Sequence, residues 1–122
     1  MIAAHIQLIL LITGLATASA LAVFLAPVVT MKMLFGQAPS DPISLAIARH
    51  WGLLIFCFGV LLIYAAYHPE VRTPTLVLAS LEKIVLATGV LTSSLRRRPT
   101  ALVVALSDAA FAALYVMYLA GL

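Results

Sequence analysis

Charge is scarce in this chain. Of 122 residues, four are acidic and seven are Lys or Arg, so only 9% are charged. A soluble domain of this length needs far more polar surface to cover itself. Cysteine occurs once, at Cys57, which excludes an intrachain disulfide and a CxxC pair. Cys57 falls inside an apolar run, where a buried, inert thiol is expected. HExxH, CxxCH, a glycine-rich phosphate loop and Ser-His-Asp spacing are all missing. The histidines are His5, His50 and His68. His5 and His68 fall at corresponding ends of their apolar segments, where two facing imidazoles can hold haem or metal. No ligand spacing accompanies them, so no cofactor or metal is expected. Basic residues are scattered or sit at segment ends, so no nucleic-acid partner is expected either.

Apolar side chains are what the chain does have. They make up 65% of the residues, and mean hydropathy is +1.20. Lipid is therefore the expected solvent, and the length allows one domain with about four crossings of about 20 residues each. The fold predicted is an all-α integral membrane four-helix bundle. Its spans fall at about residues 2–25, 42–67, 74–95 and 99–121.

Proline marks the boundaries. Pro27 follows the first span. Ala18-Ser19-Ala20 looks like a signal-peptidase site, but no Lys or Arg precedes the apolar run, so an uncleaved helix is expected. Gly14 and Ala18 are a small pair four apart, suited to close helix contact. The hydroxyls of Thr13 and Thr17 are expected to bond their own backbone. A loop from Lys32 to Asp41 contains Gly36 and Pro39. Asp41-Pro42 and Thr73-Pro74 each read as a cap followed by a first-turn proline. Pro99 opens the fourth span after Arg96, Arg97 and Arg98.

Four charged residues fall inside spans, where each costs several kcal/mol unless it faces protein or water. At about 1.5 Å of rise per residue, Glu82 lies roughly 12 Å from the nearer end of its helix, with Lys83 about as deep. Asp108 is roughly 13 Å deep and Arg49 roughly 10 Å. The stripe through Glu82 reads Thr75, Ala79, Leu86, Gly89 and Ser93, small and polar enough for an interior face. The stripe through Asp108 reads Ala101, Ala105, Ala112 and Tyr115. Arg49 shares a stripe with Gly52 and Gly59, which predicts that it faces protein. Two positive and two negative groups can neutralise one another. The expected pairs are Arg49 with Asp108, and Lys83 with either acid. His50, beside Arg49, completes the candidate polar cluster: Arg49, His50, Glu82, Lys83 and Asp108. As buried ion pairs these residues would fix helix register. As the lining of a pocket they would serve function, and Glu82 is the strongest candidate for that role.

Lys32, Arg49, Arg96, Arg97 and Arg98 gather at one end of the bundle, against Arg72 alone at the other. That bias predicts both termini outside and the arginine-rich loop in the cytoplasm. Tyr64, Tyr67, Tyr115 and Tyr118 are expected in an outer aromatic belt, with Trp51 near the inner side.

Several short motifs fit the same picture. They are Leu34-Phe35-Gly36 before a Pro/Asp loop, Ala46-Ile47-Ala48-Arg49-His50-Trp51-Gly52 opening the second span, Pro69-Glu70-Val71-Arg72, and Leu81-Glu82-Lys83. Together they resemble the DoxX-like and related small four-helix bacterial membrane proteins of unknown function. The resemblance spans most of the chain. It implies a bacterial inner-membrane protein and carries no catalytic residues with it. Small multidrug exporters have the same size and span count, but their essential acid lies in the first span, which has no carboxylate here. Fluoride-channel motifs are absent, and sterol isomerase-like bundles are similar only in architecture.

Two functions fit these residues. One is a binding or accessory protein that holds a small lipophilic ligand, or serves a homo-oligomer or larger membrane complex. The other is a membrane-embedded isomerase-like enzyme or proton-coupled transporter using Glu82 and Asp108. A cavity reaching the acids from lipid would favour binding or isomerase-like chemistry. A water path to both surfaces would favour transport.

Overall fold

The computed structural model describes residues 2–122, and every regular element among them is helical. The helices are α1 (Ile6–Ala18), α2 (Leu21–Leu25), α3 (Pro27–Phe35), α4 (Pro42–Tyr67), α5 (Arg72–Leu91) and α6 (Pro99–Leu119). Four helical segments are long and apolar enough to cross a membrane: Ala3–Leu25, Pro42–Tyr67, Pro69–Leu91 and Pro99–Leu119. The main chains of Ile2 and Leu122 meet at 3.4 Å, so both termini lie at one end of the bundle.

The first segment departs from a single helix. After Ala18 the hydrogen bonds tighten to three-residue steps, from Ala20 to Thr17 and from Val23 to Ala20. Pro27 has no N–H, so the Val23 carbonyl loses its helical donor and the chain kinks. Across the kink the Thr30 hydroxyl donates to the Ala22 carbonyl at 3.0 Å. Lys32 belongs to α3 rather than to a loop. Gly36, at φ +78°, ends α3 in the left-handed conformation that costs glycine least. Thr100 then closes the α3 carboxyl end, its hydroxyl 2.6 Å from the Leu34 carbonyl.

The start of α4 follows its expected cap, whereas Thr73, expected to cap the third span, lies inside α5 and caps nothing. The Asp41 carboxylate accepts from the Ser44 N–H at 2.9 Å, which also holds its carboxyl below the ordinary value of 3.8. Helix α5 starts two residues before Pro74. The first four N–H groups of a helix have no intrahelical acceptor, so a proline in that turn removes nothing. At the other end α5 stops at Leu91, short of residue 95, and a 3₁₀ turn over Ser94–Arg97 follows. Arg72 donates from Nε and Nη2 to the Ala65 and Ala66 carbonyls, both at 2.8 Å, and so caps α4.

Glycine sets the closest contact. Gly59 lies on the backbone of Ala18, and Gly14 lies on Gly59 and Ile63, so α1 and α4 approach without intervening side chains. Gly52 does the same for α2, against Ala20 and Val23. The chain thus forms two close hairpins, α1 and α2 with α4, and α5 with α6. Near the termini all four spans share one core of Ile6, Leu10, Leu62, Ala66, Leu76 and Tyr115. Near the arginine loop the core is Ala87, Val90, Ala101 and Ala105, joined by Phe35. No α4 residue enters that second core, so α4 and α5 part there.

Three expectations about exposure are corrected. Cys57 is exposed on the outside of α4. Tyr115 is fully buried, so it cannot belong to an interfacial belt, whereas Tyr64 and Tyr67 are exposed. Arg49 and His50 are both exposed. The buried face of α4 runs through Ala48, Gly52, Gly59, Leu62 and Ala66, about one residue round from the expected stripe. Arg49 is turned outward by that rotation.

Candidate functional site

Glu82 and Lys83 are neighbours in sequence but about 100° apart around the helix, and the structure uses them on different faces. The packed face of α5 carries Leu76, Ala79, Ser80, Lys83, Ala87 and Val90, at helical spacing. Lys83 therefore points into the bundle and is 2% exposed. Its Nζ donates to Thr17 Oγ1 at 2.8 Å and to Asp108 Oδ1 at 3.3 Å. It also lies 5.3 Å from the centre of the Phe111 ring. An ammonium has three protons, and here two meet oxygen while an aromatic ring lies alongside. Asp108 sits on the α6 face formed by Ala101, Ala105, Ala112 and Tyr115, all buried as their spacing predicts.

Asp108 is paired with Lys83, so the expected Arg49–Asp108 pair does not form. Arg49 lies about 10 Å into α4, within reach of the helix end for a long, flexible stem. Of the five candidates, the structure brings Lys83 and Asp108 together, places Glu82 on the adjoining face, and leaves Arg49 and His50 outside.

Two participants were not foreseen, Thr17 and Phe111. Thr17 does bond its own backbone, donating to the Thr13 carbonyl at 2.7 Å, yet the same oxygen accepts from Lys83. A hydroxyl has capacity for both. Phe111 lies three residues beyond Asp108 on the same face, the one spacing signal that points to it. Two hydroxyls nearby are buried without partners, Ser80 Oγ and Tyr115 Oη, the latter beside Thr13.

Glu82 faces a different environment. Where α4 and α5 part, a cavity of about 850 Å³ opens between them. Trp51, Leu54, Ile55 and Phe58 form one wall, Leu81, Glu82, Val85, Leu86 and Gly89 the other, and Met31 and Phe35 of α3 close the end. Leu54, Leu81, Val85 and Gly89 are exposed, so the cavity is a groove open to the side of the bundle. Its size falls within the range of about 300–1,000 Å³ usual for small-molecule sites. Glu82 is its single charged lining residue, and Glu82 Oε2 is buried with no hydrogen-bond partner. Asp108 does not line the groove, so the two acids of the candidate cluster do not share one pocket. A smaller groove of about 390 Å³, between α5 and α6, has no ionisable lining residue.

Gly89 in the groove wall has no structural reason to be glycine. A Cβ added there meets nothing within 4 Å. Glycine inside a helix costs about 1 kcal/mol relative to alanine, and here its absent side chain leaves the groove wide.

No metal set appears. Among the described residues, no group of three His, Cys, Asp or Glu side chains is placed to hold a metal ion. His68 stacks on Tyr64 at 3.9 Å between ring centres, and its Nδ1 lies 3.0 Å from the Tyr64 carbonyl. No protein-family model, curated protein or solved structure matches the chain.

Proposed function

We propose that this is a small multi-pass protein of the bacterial inner membrane that binds a lipophilic small molecule in the groove between α4 and α5. The observation that carries the reading is one unpartnered carboxylate, Glu82, in the wall of a laterally open apolar groove. An apolar lining with few polar groups is the usual make-up of a ligand site. Lipid-side access suits a ligand that partitions into the bilayer. Asp108 is occupied by Lys83 and lies outside the groove, which favours binding at Glu82 over a reaction shared by both acids. The DoxX-like resemblance supplies no residue roles, and the reading takes none from it.

Gly89→Phe tests the groove. The new ring enters open space and replaces a poor helix former, so the bundle should remain folded with an unchanged or higher melting midpoint. A neutral photoreactive lipophile, a diazirine-bearing fatty alcohol, should label Leu54 and Val85 in the parent chain. It should label them several-fold less in the variant, as read by peptide mass spectrometry. Labelling spread evenly around the bundle, and indifferent to Gly89→Phe, would reject the site.

In the same reading both termini face outward and the arginine loop faces the cytoplasm. Support comes from the gathering of Lys32, Arg49, Arg96, Arg97 and Arg98 at one end. At the other end Arg72 has its guanidinium on the α4 carbonyls. A cysteine at Arg97→Cys, in a Cys57→Ser background, should stay unlabelled by an impermeant maleimide added to intact cells and react after permeabilisation. Labelling in intact cells would invert the topology.

A further inference from the structure

The groove has one charged group to offer a ligand, and it is negative; the indole N–H of Trp51 adds a neutral donor on the opposite wall. Lys83 makes no ion pair with it, because its ammonium is bound on the other face of α5 to Asp108 and Thr17. The other acids are accounted for elsewhere: Asp41 caps α4, Glu70 is exposed at the terminal end, and Asp108 is paired. A carboxylate in apolar surroundings is stable in its charged form when a cation stands beside it. The opposite wall is aromatic. Phe58 lies nine residues before the end of α4 at Tyr67, and Glu82 lies ten residues after the start of α5 at Arg72. At about 1.5 Å per residue, the ring and the carboxylate sit at nearly the same depth, about 14–15 Å from the terminal end. Trp51 is about two turns further along the same wall. Faces of Phe and Trp attract cations.

We infer that the groove selects a lipophilic cation, with its positive centre between Glu82 and Phe58 and its apolar body along Leu54 and Trp51. This rests on the groove-binding reading above and narrows its ligand to one charge type. An anionic amphiphile meets the Glu82 carboxylate, and a neutral one leaves the charge unmet.

Two probes of similar shape separate the cases: tetraphenylphosphonium, which is cationic, and triphenylphosphine oxide, which is neutral. Binding is measured by equilibrium dialysis with the full chain in nanodiscs, with empty nanodiscs subtracted. Trp51, the single tryptophan, gives a second signal from the groove wall. The cation should bind at least about tenfold more tightly than the neutral probe. Glu82→Gln should remove that preference by weakening the cation alone, and Gly89→Phe should weaken both probes. If the two probes bind equally and Glu82→Gln affects neither, the charge selection is wrong, while continued sensitivity to Gly89→Phe keeps the groove. If neither probe responds to Gly89→Phe, the groove reading and the cation inference fall together.

Discussion

Replacing Lys83 by methionine, with Asp108 left in place, should cost about 3–5 kcal/mol of stability in detergent unfolding. The expected size follows from burial. Lys83 is 2% exposed and the Asp108 side chain 13% exposed, so removing the ammonium strands a carboxylate that water hardly reaches. Thr17 also loses its Lys83 donor. Asp108→Asn alone should cost less, because Lys83 keeps Thr17, the Phe111 ring and an amide oxygen to bond. The double replacement Lys83→Met with Asp108→Leu should recover much of the loss, since buried ion pairs often exchange for apolar packing at little net cost. Recovery of less than about 1 kcal/mol beyond additivity would show that the two side chains are not energetically coupled. Arg49→Met supplies the contrast. Arg49 is exposed and outside the pair, so its loss should leave stability within about 0.5 kcal/mol of the parent.

Gly59→Val should also be strongly damaging, costing about 3 kcal/mol or more, or preventing assembly of the first hairpin. Overpacking in a core commonly costs about 1–3 kcal/mol, and that range assumes neighbouring side chains can shift. Here the new Cβ lands on the main chain of Ala18, which has no rotamer to change. The helices must separate, and Gly14 and Gly52 lose their close contacts with them. The control is Gly89→Ala, a methyl added in open space to a better helix former, which should be neutral or stabilising by up to about 1 kcal/mol. Equal destabilisation at the two glycines would mean that the Gly59–Ala18 contact does not hold α1 to α4.

The contrast between these glycines shows where the sequence can be read and where it cannot. Gly14, Ala18 and Gly59 declare a close contact because small residues recur at helical spacing, and the structure has it. The α6 stripe from Ala101 to Tyr115 was legible for the same reason. On α5 the pattern was ambiguous. Thr75 and Ala79 belong equally to a face centred on Glu82 and to one centred on Lys83, and both interior and lipid side accept apolar residues. A rotation of one residue was enough to bury Lys83 and turn Glu82 to the groove. On α4 a similar rotation moved Arg49 outward and removed the expected pair. The break after Ala18 carries no proline or glycine of its own. Thr17 was hidden by having two roles, one local and one 66 positions away.

The wiring of the charged pair bears on how such a chain enters a bilayer. Asp108 and Lys83 are 25 residues apart, on helices consecutive in synthesis, whereas Thr17 belongs to the hairpin made earlier. The polypeptide emerges from its N-terminus. In a bilayer the later hairpin can therefore settle with Lys83 and Asp108 answering each other, leaving Glu82 as the one charge of that hairpin's interior still to be met. Its bond to Thr17 forms only when the two hairpins dock. In such an order of assembly one ammonium would serve twice, first offsetting the cost of burying Asp108 and then fixing how the finished halves align.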